Sequence, residues 1–395
     1  MSIWPTFVVG PVRNGEVETR MPSLLLGSVR PAARRCAVVV AVVGLTLAAS
    51  GCGSGASPDF GAGASVDSTK AAGPTKTSYP LTIENCGREV TFEKPPERVL
   101  IMNGASVGEV QAYVLLGLQD HVLANAQRVT VSDDPGMVDE VAKLPTGGTT
   151  WNKSFDVPAE KVLDLKPDLV VSTWSGGFNA ASGFATRDQL AKAGINSYVN
   201  PVDCAYGATN PSAADQAAYD RQSIASTYDF IEETGVIFDV QHKAADVVAG
   251  LKKRVSAVSD RVAGADRPKV LLAFPGMASM SANSLPAVFS GGVYDDIIEK
   301  AGGENSFPSD TPDPDLTSTL SAETLASAEV DVLVIGLTYP SEEAKAEQLA
   351  DQLFKKYPQW KASQTRTYTY LSDGAFIGPA NVYAVEKIAD AAHPQ

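Results

Sequence analysis

The chain is short of histidine, cysteine and positive charge, and each shortage excludes something. It has three histidines and four cysteines in 395 residues, with no C-x-x-C and no H-x-x-x-H. The usual spacing of a transition-metal site is therefore missing, and neither a protein-bound metal nor another cofactor is expected. Against 46 Asp and Glu stand only 32 Lys and Arg, a formal net charge of −14. Residues 1–51 carry five arginines and two glutamates, which leaves −17 for the rest. That balance argues against nucleic acid and anionic membrane surfaces as partners. The apolar run at residues 36–49 falls short of the ~20 residues that span a bilayer.

What is present is ordinary globular material, 44% hydrophobic and 20% charged, enough for two or three domains. Arg30, Arg34 and Arg35 precede the apolar run, and Ala49-Ser50-Gly51-Cys52 follows it. This order of basic, apolar and small residues is that of a signal peptide over 1–51, with Met1 and Met21 both candidate starts. Cysteine directly after small residues resembles the bacterial lipobox, which implies cleavage before Cys52 and acylation of its thiol. The alternative is an ordinary secretory signal with an incidental cysteine. Residues 52–78, rich in Gly, Ala, Ser and Thr, read as a flexible tether. Cys36 leaves with the signal and Cys52 takes lipid, so Cys86 and Cys204 remain as a pair in an oxidising compartment. A disulfide is expected, closing a loop worth ~3–5 kcal/mol; the other possibility is two free thiols.

Residues 240–263 form the organising element. Ala244, Val247, Val248, Leu251, Val255, Val258 and Val262 recur at three- and four-residue steps, which predicts one long amphipathic helix. Gly264 offers a C-cap and Pro268 discourages continuation. On both sides strands alternate with helices, the pattern of parallel sheets. In the first half a hairpin is predicted at Leu81-Thr82-Ile83 and Val90-Thr91-Phe92. Strands follow at 98–102, 169–172 and 197–199, with helices at 107–116 and 187–192. In the second half strands are predicted at 270–274, 332–335 and 367–371, with helices at 293–301 and 380–391. The halves share a register: Ala159-Glu160 and Ala322-Glu323 each open a short apolar helix, and Asp168 and Asp331 each precede a buried strand. Lys192-Ala193-Gly194 and Lys300-Ala301-Gly302 are a second echo. The expectation is an α/β protein of two Rossmann-like lobes, 79–239 and 264–395, joined by the helix.

Gly104-Ala105-Ser106-Val107-Gly108 fits G-x-S-x-G between a strand and a helix, so a secreted serine hydrolase using Ser106 is an alternative. Its base would have to be His121, His242 or His393, in a loop, at the start of the long helix and beside the C-terminus. That hydrolase fold also builds several strands before its nucleophile, whereas this motif follows the first sheet strand.

Four segments carry a resemblance: Pro96-Glu97-Arg98-Val99, Leu165-Lys166-Pro167-Asp168-Leu169-Val170, Leu190-Ala191-Lys192-Ala193-Gly194-Ile195 and Ala301-Gly302-Gly303-Glu304-Asn305. In this order and spacing the chain resembles the bacterial ABC-transporter substrate-binding proteins of the iron-siderophore and cobalamin type, over nearly all of residues 79–394. The resemblance implies a cleft between two lobes, little hinge motion, and delivery to a dimeric permease driven by a cytoplasmic ATPase. It also implies that Glu160 and Glu323, one per lobe, dock on arginines of the permease; the plainer role is compensation of each helix dipole.

For the cleft, Trp151, Trp174, Phe178 and Arg187 lie in first-lobe loops, and Phe274, Met277, Met280, Tyr339 and Phe376 in second-lobe loops. Aromatics with an arginine suit a bulky chelate. The expected ligand is a ferric siderophore, with a corrinoid or another chelate as alternatives, bound by a monomer that is not an enzyme. Iron enters only inside its chelator. Residues 206–219 form a polar, Ala-rich loop without a counterpart in the family.

Overall fold

The computed structural model describes residues 76–394 apart from 105, 129–131, 281–283, 314, 315, 339 and 377. The expected signal peptide, residues 1–51, and the expected lipidation site Cys52 lie outside the described residues. Strands β1 (Leu81–Glu84) and β2 (Glu89–Phe92) form the predicted antiparallel hairpin. Next come β3 (Val99–Ile101), β4 (Val122–Asn125), β5 (Leu169–Ser172) and β6 (Asn196–Val199), one parallel sheet in the order β4-β3-β5-β6. Four helices connect and cover them: α1 (Gly108–Leu116), α2 (Pro135–Ala142), α3 (Ala159–Leu165) and α4 (Arg187–Lys192). Gly117, at φ 75°, ends α1 in the left-handed region, where a glycine adds no steric cost.

Residues 206–219 are not all loop. Ser212 caps a helix, α5 (Ala213–Asp220), whose four alanines favour that conformation. A further helix, α6 (Ile224–Ile237), starts at a Ser223–Ser226 capping box. It turns directly into the long helix α7 (Gln241–Val262). A Cβ on Gly235 would sit 2.5 Å from that of Ala244, so α6 and α7 approach too closely there for any side chain. Ala244, Val248, Val255, Val258 and Val262 of the predicted stripe are buried, while Val247 and Leu251 are partly covered. At roughly 1.5–3 kcal/mol per buried aliphatic side chain, that face outweighs intrinsic propensity in fixing the helix.

The second sheet holds β7 (Lys269–Phe274), β8 (Ala287–Val288), β9 (Glu304–Asn305), β10 (Val332–Leu337) and β11 (Tyr368–Ser372). Strands β10, β11 and β9 run parallel to their neighbours and β8 pairs antiparallel with β7. Helix α8 (Gly292–Lys300), a short helix Ala322–Ser327, helix Ala346–Lys356 and the C-terminal helix Asn381–Ala392 complete this lobe. Helix α7 packs against α6 and α1 from one lobe and α8 and the C-terminal helix from the other. The sequence echo has a structural counterpart. Asp168 accepts from Arg98 N at 2.9 Å beside β3, and Asp331 accepts from Lys269 N at 2.7 Å beside β7. Each aspartate thus pins a strand start to its neighbour in the same register.

The lobes also touch directly. Asp133, in the segment entering α2, accepts from Ser372 N (2.9 Å), Ser372 Oγ (2.7 Å) and Lys387 Nζ (2.9 Å). Asp134 accepts from the Tyr383 hydroxyl at 3.0 Å. These charge-assisted bonds join the first lobe to the end of β11 and the C-terminal helix.

Candidate functional site

In a parallel sheet the loops after the strands gather at one edge, where ligands bind. In the first lobe that edge is Asn103-Gly104 after β3, Gln127-Arg128 after β4, Thr173-Trp174 after β5 and Asn200 to Asp203 after β6. Asp156 shapes it, accepting from Asn103 N (2.8 Å), Gly104 N (2.9 Å) and Val157 N (2.7 Å). Burial pushes its carboxyl up from the ordinary range, and these three N–H groups pull it back.

Beneath the edge lies a buried carboxylate, Glu109 in the first turn of α1, with 0% of its surface exposed. It accepts from Ser106 Oγ (2.9 Å), Gln127 Nε2 (2.7 Å), Thr173 Oγ1 (2.9 Å) and Asn200 Nδ2 (3.1 Å). All four donors are neutral. Ser106 is therefore no nucleophile: it is buried, and its hydroxyl is committed to Glu109 while accepting from Gly108 N at 3.0 Å. No histidine serves it. His121 faces Pro96 O, His393 faces Gly302 O, and His242 is exposed on α7. The G-x-S-x-G match is a small-residue loop supporting a buried acid.

Trp174 stands where the strand order placed it, half-buried after β5, but its neighbours were not foreseen. Its ring lies 5.0 Å from that of Tyr206, which stacks on Tyr219 at 5.7 Å with planes 5° apart. A Cβ on Gly207 would meet the Trp174 ring at 2.5 Å, so only glycine lets the segment lie so close. Cys204 fixes this segment. It is bonded to Cys86 with Cα atoms 5.1 Å apart, and its carbonyl accepts from Ser175 Oγ at 2.7 Å. Asp203, just before it, has its carboxyl pushed up to about 8 by burial and by Glu109.

Several other residues expected in the cleft have buried side chains. Phe178 belongs to the first-lobe core. Arg187 is buried, donating to Asn85 O (2.8 Å), Asn85 Oδ1 (3.0 Å) and Ser197 Oγ (2.9 Å); it clamps the hairpin turn to β6. Burial lowers its guanidinium to about 10. Phe274 and Phe376 are each 1% exposed, packed with Phe289 and Tyr294 in the second-lobe core. Met277 is partly buried against that core. Trp151 is 43% exposed, with Arg128 5.5 Å over its ring and the Arg128 guanidinium donating to Thr149 O at 3.0 Å. Tyr339 and the Met280 side chain lie outside the described residues. Glu160 and Glu323 are exposed in the first turns of α3 and of helix Ala322–Ser327, and neither has a hydrogen-bond or ion-pair partner among the described residues.

Sequence reasoning missed Glu109, Asp203, Tyr206 and Tyr219. The signal for Tyr206 was its place two residues after a cysteine expected to be bonded. For Glu109 there was none.

Two lobes, each built on a mostly parallel sheet, and an aromatic, acid-backed strand-end edge in the first are the frame of a two-lobed binding protein. Residues 105–375 match the model of the periplasmic binding protein family, and the chain belongs to that family. Among solved structures it is similar to a protein of an ABC-type Fe3+-hydroxamate transport system from Saccharomonospora viridis, at 21% identity and TM-score 0.57, covering 80% of this chain and 99% of that one. A periplasmic binding protein from Veillonella parvula gives 17% identity and TM-score 0.62, with 80% and 98% covered. Helicobacter pylori CeuE, in a nickel–histidine complex, gives 16% and 0.53, with 80% and 88% covered. These likenesses are of fold. Comparison with the curated proteins returned no match. No helix among the described residues is long and apolar enough to cross a membrane.

Proposed function

We propose that the protein is the substrate-binding lipoprotein of an ABC importer, capturing a ferric siderophore outside the cytoplasm and passing it to a dimeric permease. The observation that carries this reading is the aromatic wall Trp174–Tyr206–Tyr219 at the strand-end edge of a periplasmic binding protein. Broad π faces over a polar floor suit a bulky chelate with an apolar rim. The likeness to an Fe3+-hydroxamate transport protein supports the same substrate class. Iron enters already wrapped, and Glu160 and Glu323 are the docking charges, one per lobe.

Calorimetric titration of the mature protein against ferric hydroxamates, ferric catecholates and cobalamin tests the substrate. Trp174→Ala is expected to weaken ferric hydroxamate binding by about 1–3 kcal/mol, the loss of one hot-spot aromatic, with the fold intact. Unchanged affinity removes Trp174 from the site, and tight binding of cobalamin alone reassigns the ligand to a corrinoid.

Anchoring at Cys52 is part of the same proposal. Wild type is expected in the membrane fraction and Cys52→Ala released and unacylated; equal retention of both contradicts the anchor.

A further inference from the structure

The β6 end of the strand-end edge has a buried acceptor without a donor. Asn200 gives its Nδ2 to Glu109, and its Oδ1 is buried with no partner. Asp203, one short turn on, makes no side-chain hydrogen bond or ion pair among the described residues. Glu109 brings a second carboxyl from α1 and is met only by neutral donors. From α5 come Tyr219 and Asp220, and from the preceding segment Tyr206. From α6, Glu233 is turned to the Tyr198 hydroxyl at 2.6 Å. Among the described residues no arginine or lysine forms an ion pair with Glu109, Asp203 or Glu233. Arg187 is spent on Asn85 and Ser197, and Arg128 follows β4, at the opposite edge of the sheet, against Trp151. Asn200 Oδ1, buried without a partner, costs free energy until a donor arrives, and the half-buried Asp203 carboxyl and Glu109 favour a donor of positive charge. The Trp174, Tyr206 and Tyr219 faces attract the same kind of group.

We propose that this corner binds a cationic group, an alkylammonium arm of the ligand, on Asp203 and Asn200 Oδ1 beside the Trp174–Tyr206–Tyr219 wall. The inference rests on the ferric-chelate reading and narrows it to chelates carrying a free amine. An ammonium has three N–H donors and no acceptor, so it can serve Asn200 Oδ1 and the Asp203 carboxyl together. A ferric catecholate, strongly anionic, would set its charge against a corner that carries two carboxyls and no paired cation among the described residues.

The test is calorimetric titration of the mature protein with a matched pair: a linear ferric trihydroxamate ending in a primary amine, and its N-acetylated form. An iron-free long-chain alkyl diammonium is titrated in parallel. At about pH 9 the amine form is expected to bind about tenfold tighter than the acetylated form, and the difference to fall below about threefold in Asp203→Asn, which keeps the shape and removes the charge. The preference is expected to grow between about pH 6.5 and about pH 9, because Asp203 ionises in that range while an alkylammonium stays charged to about pH 10. Equal affinity for the two forms, or a preference that survives in Asp203→Asn, overturns the cationic corner and leaves the ferric-chelate reading standing. If neither ferric chelate binds, the ferric reading fails and the diammonium still decides: binding that is lost in Asp203→Asn supports the corner, and no binding overturns it.

Discussion

Replacing both Cys86 and Cys204 by serine lowers the unfolding free energy by about 4–5 kcal/mol in equilibrium urea denaturation. The bond joins positions 118 residues apart, and a loop of that length takes much entropy from the unfolded chain. The variant is also expected to bind ligand more weakly than wild type. Cys204 sits between Asp203 and Tyr206, so the disulfide holds both against the hairpin turn. Arg187 keeps that turn on β6 through Asn85 even when the disulfide is gone, which is why the fold survives and the Tyr206 segment does not stay in place. An unchanged urea midpoint, or both thiols labelled in the native wild-type protein, contradicts this account.

The long helix was legible because nothing competes with its signal. Its apolar positions keep one face over 22 residues, and Gly264 and Pro268 stand just beyond its end. The two-lobe plan was legible through Asp168 and Asp331, which do the same backbone work in each half. Local pattern failed where partners are distant in sequence. Arg187 looked like a cleft arginine, yet its acceptor Asn85 is 102 residues away. Phe274 and Phe376 end up beside strand ends as predicted, but Phe289 and Tyr294 close over them, and no local rule shows which side of a loop an aromatic takes. Strand β4 is four residues directly after a short 3-10 turn, too brief to show a period of two. Helix α5 was hidden by reading its alanines and acids as loop polarity, although alanine is the strongest helix former. Glu109 could not be found from sequence, since its role depends on donors from four separate segments.

Glu160→Ala combined with Glu323→Ala is expected to bind ligand within about twofold of wild type and to lose transport. A carboxylate serving only its own helix dipole contributes ~0.3–1 kcal/mol of stability, and removing it leaves transport alone. Both glutamates are exposed, unpaired among the described residues, and placed alike in the two halves, as contacts for a two-fold partner should be. Reversal of both to arginine is expected to be worse than alanine, because like charges would then face each other at both contacts.

ATPase stimulation of the reconstituted cognate transporter by the protein loaded with ferric hydroxamate tests the importer reading most directly. The account predicts stimulation by loaded wild type and a loss of at least about tenfold with the double alanine variant, whose ligand titration stays normal. Full stimulation by that variant, or none by loaded wild type, contradicts it.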